Sequence, residues 1–312
     1  LFFSTKGKVY QMKVFKLPEF APNARGKPMI GIFPLIKNEN ITAVLPLPND
    51  KKTWEDLNIM FSTAKGSVRR NALSDFIKIQ SSGKIAMKLS DDDKLIGVHT
   101  CKEKEDDVFL SSKEGKCLRF PISNVRKFSG RNSVGVRGIK LSKDDEVISM
   151  YILKHAKFDM DERNDYLKVS NAIKRKEMRR SMPFSKLLKG LKLSEEKFIE
   201  MENNEEFILS VADNGYGKRS SAYEYRITSR GGKGIANMIV NKKTGKVVSS
   251  FPVNEKDDVM LIAGTGKLIR SPVNKIRIAG RTTQGVTLFK VESSEKVLSA
   301  ASIKDLNISV DE

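Results

Sequence analysis

Short apolar runs alternate along the chain with polar turns, and one arrangement of the two keeps returning. It consists of an apolar strand, a short polar turn ending in glycine, and a second strand that carries basic residues. Copies occupy 2–10, 60–70, 108–119, 207–219 and 259–270, with turn glycines at Gly7, Gly66, Gly115, Gly215 and Gly266. Successive turn glycines are 59, 49, 100 and 51 residues apart, so the repeat is about 50 residues long and one gap is doubled. A second glycine follows each turn glycine by 17 to 20 residues, at Gly26, Gly83, Gly135, Gly234 and Gly285. A strand such as Val147-Ile148-Ser149-Met150 or Val297-Leu298-Ser299-Ala300 closes the unit. Short strands and glycine turns at this period predict an all-β, propeller-like array of four-stranded blades. One such sheet is too small to bury its own apolar face, so neighbouring sheets must stack.

The doubled gap reads differently. From Lys154 to Asn204 the sequence is rich in Lys, Glu, Leu and Met at helical spacing. Leu187, Leu188 and Leu191 would share a face, and Ser194 before Glu195 and Glu196 has the form of an N-cap with an acidic first turn. The expected organisation is three blades over 1–153, a helical insert over 154–204, two blades over 205–303 and a C-terminal tail over 304–312.

Composition narrows the chemistry. Lys and Arg number 57 against 38 Asp and Glu, a net charge of +19, of which the insert carries only +4. Such an excess calls for a polyanionic partner, either nucleic acid or an anionic membrane surface, of which duplex DNA is the expected one. No apolar run approaches the roughly 18–20 residues of a membrane-spanning helix, and no membrane is expected among the partners. Two cysteines and two histidines form no disulfide framework or zinc pattern, which fits a cytoplasmic protein. Gly215-Tyr216-Gly217-Lys218-Arg219 lacks the hydroxyl residue of a nucleotide-binding loop, and His99 and His155 stand in no catalytic constellation. No catalytic residue, metal ligand or cofactor is expected in this chain. The clusters Asp91-Asp92-Asp93 and Asp106-Asp107 read as solvated turns.

The basic residues are locked to the repeat. Four residues past the turn glycine stand Arg70, Arg119, Arg219 and Arg270, with Gln11 in the first copy. If these emerge at one equivalent place on every blade, they form a ring of exposed cations able to neutralise DNA phosphates without reading bases. Their replacement would then weaken DNA binding and leave folding stability unchanged. The candidate contacts around the turn glycines are Lys6, Lys8, Lys65, Arg69, Arg70, Lys113, Lys116, Arg119, Lys218, Arg219, Lys267 and Arg270. Around the second glycines they are Arg25, Lys27, Arg131, Arg137, Arg230, Gly231, Gly232, Lys233, Gly234 and Arg281. The glycines would add backbone N–H groups close to phosphate.

Several of these phrases resemble the C-terminal DNA-wrapping domain of bacterial DNA gyrase A. They are Lys6-Gly7-Lys8-Val9-Tyr10, the stretch from Gly130 to Gly138, Gly217-Lys218-Arg219-Ser220-Ser221 and, above all, Arg230-Gly231-Gly232-Lys233-Gly234. The last is similar to the gyrase A box, Gln-(Arg/Lys)-Arg-Gly-Gly-Lys-Gly, with Thr228-Ser229 in place of its first two residues. The resemblance implies a β-pinwheel whose blades exchange strands and whose basic rim wraps duplex DNA. It also implies a nucleoid-associated assembly of two A and two B subunits, part of a type IIA topoisomerase. There ATP and Mg2+ serve other parts of the holoenzyme during negative supercoiling. A further blade with the full box is expected upstream of Leu1. The alternatives are the related domain of topoisomerase IV and, in a different class, a propeller serving as a protein-interaction platform.

Overall fold

The computed structural model describes residues 1–21, 24–47, 50–174, 181–292 and 295–304. The tail expected over 304–312 lies, from 305 onward, outside the described residues. The chain forms two compact units, Leu1–Lys154 with Thr228–Gly234, and His155–Ile227 with Ile235–Glu312.

In the first unit, repeat one contributes β1 (Phe2–Ser4), β2 (Lys8–Tyr10) and β3 (Ile41–Val44). Repeat two contributes β4 (Asn58–Thr63), β5 (Ser67–Ala72), β6 (Lys84–Ile85) and β7 (Leu95–Cys101). Repeat three contributes β8 (Asp106–Ser112), β9 (Lys116–Pro121), β10 (Val136–Arg137) and β11 (Val147–Lys154). The sheets do not follow the repeats. One has the order β3-β1-β2-β6 and the next β10-β5-β4-β7, so each sheet takes its fourth strand from the following repeat. β8 lies between β11 and β9 in the third.

The turn glycine of one repeat and the second glycine of the next make this exchange possible. Gly66, at φ +84°, turns β4 into β5, and its carbonyl accepts the amides of Gly138 and Ile139 from the next repeat. Gly135, at φ +80°, brings β10 onto β5, where an added Cβ would fall 2.3 Å from the Val68 carbonyl oxygen. Only glycine tolerates both the dihedral and the approach.

Apolar side chains fill the spaces between stacked sheets. Phe3, Val9, Ile59, Phe61, Leu73, Phe76 and Leu95 form one buried cluster, and Met60, Val68, Val108, Leu110, Phe120 and Val147 another. Among the described pairings, the strand that closes each repeat carries one extra residue against the first strand, at Thr42, Ile96 and Ile148 in this unit. Such bulges sharpen the local twist.

The second unit begins with helices α1 (Met160–Lys174), α2 (Phe184–Leu187) and α3 (Glu195–Asn203). Ser194 caps α3 as expected, its hydroxyl accepting the Lys197 amide, and Leu187, Leu188 and Leu191 enter one apolar cluster with Tyr166, Phe198 and Met201. Tyr223 of repeat four joins that cluster and donates to the Met201 carbonyl at 3.0 Å, so the helices are seated on the repeat. Repeat four supplies β12 (Phe207–Ala212), β13 (Tyr216–Ser221), β14 (Ile235–Ala236) and β15 (Val247–Val253). Repeat five supplies β16 (Asp258–Ala263), β17 (Leu268–Pro272), β18 (Val286–Thr287) and β19 (Val297–Ile303). The sheet order β15-β12-β13-β18 repeats the exchange, and β17-β16-β19 forms a three-stranded sheet. The protein is thus mostly β, as the glycine spacing predicts.

Candidate nucleic-acid interface

The repeat-locked arginines do not form an exposed ring. The side chains of Arg70, Arg119 and Arg219 are 4%, 1% and 5% exposed, and only Arg270 is open, at 65%. The residues one position earlier, Arg69 and Lys218, are fully buried. Alternation along a strand frees one face only when that face meets solvent. Here β5, β9 and β13 are covered on both faces, because the next repeat passes over them.

That passing segment is what the buried cations hold. Arg219 donates from Nε to the Ile276 carbonyl at 2.8 Å and from Nη2 to the Asn274 carbonyl at 3.2 Å. Lys218 donates from Nζ to the Gly280 carbonyl at 2.6 Å. In the first unit, Arg69 donates from Nη1 to the carbonyls of Arg131 and Ser133, at 2.6 and 2.8 Å. Burial, with the Arg131 charge adding to it, pushes the Arg69 guanidinium below its ordinary pKa. Arg119 pairs with Asp107 at 2.8 Å and donates to the Lys154 carbonyl at 2.6 Å, while Arg70 reaches Glu103. Asp107 is therefore a buried counter-ion rather than part of a solvated turn. Asp93 likewise turns inward and accepts the amides of Lys65 and Lys94. Arg69, Lys218 and Arg219 are staples to the following repeat, whereas Arg70 and Arg119 are held inward by Glu103 and by Asp107 and the Lys154 carbonyl. Arg270 is the exception because, among the described residues, no segment crosses β17.

Other candidates reach solvent to differing degrees. Lys6, Arg25, Lys27, Lys65, Lys116, Arg137, Arg230, Lys233, Lys267 and Arg270 are exposed; Lys8, Lys113, Arg131 and Arg281 are half-buried. Some are partly neutralised: Lys113 pairs with Glu146 at 3.1 Å, Lys267 with Glu292 at 3.4 Å, and Arg270 with Asp258 at 2.6 Å. The box-like loop lies along β9. Thr228 donates its amide to the Arg119 carbonyl, and Arg230 donates to the carbonyls of Asn124 and Arg137, at 2.9 and 3.0 Å. The Gly231 amide donates to the Gly138 carbonyl, so it is not turned toward solvent, and a Cβ on Gly234 would strike the Cys117 carbonyl oxygen. Gly232 is exposed and Gly231 and Gly234 half-buried; Lys233 stands free on the loop surface.

A second repeat-locked set was missed in the sequence. Eleven or twelve residues past the turn glycine, just beyond a short 3-10 helix, stand Lys78, Arg126, Lys127, Arg226 and Arg277, all exposed. Arg126 lies over the Phe128 ring at 4.3 Å, which orients the guanidinium without neutralising it. The test of repeat-locking that singled out Arg70 finds these positions equally well; what hid them was the loop between strand and second glycine, which carries no strand pattern.

Among the described residues no group of His, Cys, Asp and Glu could hold a metal, and no helix is long and apolar enough to cross a membrane. Cys101 and Cys117 are buried, and burial raises the Cys101 thiol to about 12.

The features define a strand-exchanged, propeller-like β-repeat protein with backbone-clamping internal cations and a second, solvent-facing basic set. The family described as DNA gyrase C-terminal domain, beta-propeller, matches residues 1–48, 57–102, 106–154, 206–254 and 257–304, and the chain belongs to it. The DNA gyrase A protein of Rickettsia bellii is 52% identical over 305 residues, covering 98% of this chain and 34% of that protein. The chain thus spans about a third of that relative's length. A crystal structure of the C-terminal domain of DNA topoisomerase IV superposes with a TM-score of 0.72 at 19% identity, covering 97% of this chain and 78% of that one. A DNA gyrase A C-terminal domain superposes with a TM-score of 0.67 at 22% identity, covering 97% and 81%. Both share the fold.

Proposed function

We propose that this chain binds duplex DNA along its solvent-facing cations and bends it, as the C-terminal domain of a gyrase A protein. The observation that carries the reading is the exposed set Lys78, Arg126, Lys127, Arg226 and Arg277, which follows the corresponding 3-10 helix in repeats two to five. Lys116, Arg137, Arg230 and Lys233 add to it. Cations that recur with the repeat can neutralise phosphates at intervals along a duplex and read no bases. Bending costs of order 1–6 kcal/mol per 20–30 bp, so contacts on several repeats must act together to offset it. In this reading the chain sits on chromosomal DNA in the cytoplasm. The remaining gyrase A sequence and its gyrase B partner supply cleavage, ATP hydrolysis and Mg2+ chemistry for negative supercoiling. The sequence relatives favour gyrase over topoisomerase IV, since they carry the gyrase A name at up to 52% identity.

Binding measured against salt tests it. With roughly 8–12 phosphates contacted, log K against log salt should have a slope of about −7 to −11, and 60-bp duplexes should bind far more tightly per site than 15-bp ones. A slope shallower than about −3, or equal affinity per site for both lengths, contradicts the reading.

A further inference from the structure

The helical insert is not explained by repeat stacking, and it carries a surface the β repeats lack. α1 is flanked by two adjoining grooves that share Leu167 and Asn171. The larger, about 1030 Å³, runs between α1 and the segment 274–283 of repeat five. The smaller, about 510 Å³, lies on the other side, against the 186–191 stretch of the insert. Their charges are one-sided. Lys275 and Arg277 line the first groove, and Lys168, Lys186 and Lys189 the second; all five are exposed and none has an ion pair among the described residues. Lys174, at the edge of the larger groove, is neutralised by Glu205 at 3.0 Å. Glu224 is the one carboxylate in either lining, and it is occupied by the Arg281 amide at 2.7 Å.

We infer that these two grooves form one seat for the backbone of duplex DNA, continuing the path from Arg277 of repeat five onto the insert. The inference rests on the DNA-binding reading above. Three features support it. The grooves are open and polar-rimmed, with Asn164, Asn171 and Asn274 supplying hydrogen-bond donors for phosphate oxygens. The cations lie on both sides of α1, which spans about 15 Å between Asn164 and Lys174, enough for two or three successive phosphates of one strand. Finally, the helices are anchored on repeat four. Tyr223, Tyr166 and Phe198 pack the helices onto repeat four, with ring centroids 5.1 Å apart for Tyr166–Phe198 and 5.4 Å for Tyr166–Tyr223. DNA held there therefore has a fixed position relative to repeat four.

The test uses the whole chain and a long linear duplex. The triple variant Lys168→Glu, Lys186→Glu, Lys189→Glu alters only exposed side chains, and its melting temperature should match the wild type. Its salt slope should fall by about 2–3 units, and its hydroxyl-radical footprint should lose protection at one end. The neutral variant Lys168→Gln, Lys186→Gln, Lys189→Gln should lie between the two. A triple variant with wild-type slope and footprint overturns the seat, while loss of slope in Arg126→Glu, Arg226→Glu still upholds DNA binding by the repeats. Absence of DNA binding by the wild type removes the underlying reading itself, so the two failures are distinguishable.

Discussion

Arg119 and Arg270 occupy the same place in the repeat and have opposite surroundings. Arg119 pairs with Asp107 in the interior, both side chains at 1% exposure or less, whereas Arg270 meets Asp258 at the surface. Removing one partner of a buried pair leaves an unpaired charge and costs about 3–5 kcal/mol, while an exposed pair contributes about 1 kcal/mol or less. Urea unfolding should therefore show Arg119→Ala and Arg219→Ala strongly destabilised and Arg270→Ala nearly unchanged. Similar midpoints for all three would contradict the internal role of Arg119 and Arg219. The chemistry of these residues was legible in their recurrence, but their direction was not, because strand alternation says nothing of a segment that arrives from the next repeat.

His99 offers a second test at this scale. It packs on the Tyr151 ring at a centroid distance of 4.7 Å, and burial lowers its pKa to about 4. With the unfolded value near 6.5, the unfolded chain takes up the proton first as pH falls. Stability should therefore be full above about pH 6.5 and decline toward pH 4, by on the order of 3 kcal/mol from this group. His99→Gln should flatten that part of the stability–pH profile; an unaltered profile would show that His99 is not its source.

At the level of elements, the glycine pair sets the architecture. Gly285 brings β18 onto β13 as Gly135 brings β10 onto β5, and an added Cβ at Gly285 would lie 2.4 Å from the Gly217 carbonyl oxygen. Gly26 has the same positive φ but meets nothing within 4 Å. Gly135→Ala and Gly285→Ala should break their strand joints and lower the melting temperature by many degrees, whereas Gly26→Ala should cost only about 1 kcal/mol. A large loss at Gly26 alone would reverse this order. These glycines were visible as a spacing of 17 to 20 residues, and that spacing is the length of chain needed to leave one sheet and enter the preceding one. The helical insert was equally legible from local signals, the Ser194 cap and the leucine face, since helices are stabilised by near neighbours in sequence. Strand exchange depends on contacts across repeats and entered only through family resemblance.

For the whole molecule, the question is where +19 of charge is displayed. Part of it is turned inward as staples, and the remainder recurs after the 3-10 helices and on the box-like loop. The sum was readable from composition, but the division between inside and outside needed the fold. Charge reversal at Arg126, Lys127, Arg226 and Arg277 should reduce the salt slope by about one unit per residue without changing thermal stability. Wrapping adds a geometric consequence that simple attraction does not share: DNA bent around a fixed surface has constrained writhe. The decisive measurement is the topoisomer distribution after nicked circles are sealed by ligase with increasing amounts of the chain bound. The account predicts a progressive shift in mean linking number, diminished in the charge-reversed variant. A distribution that stays at the protein-free position while the DNA is saturated would contradict it.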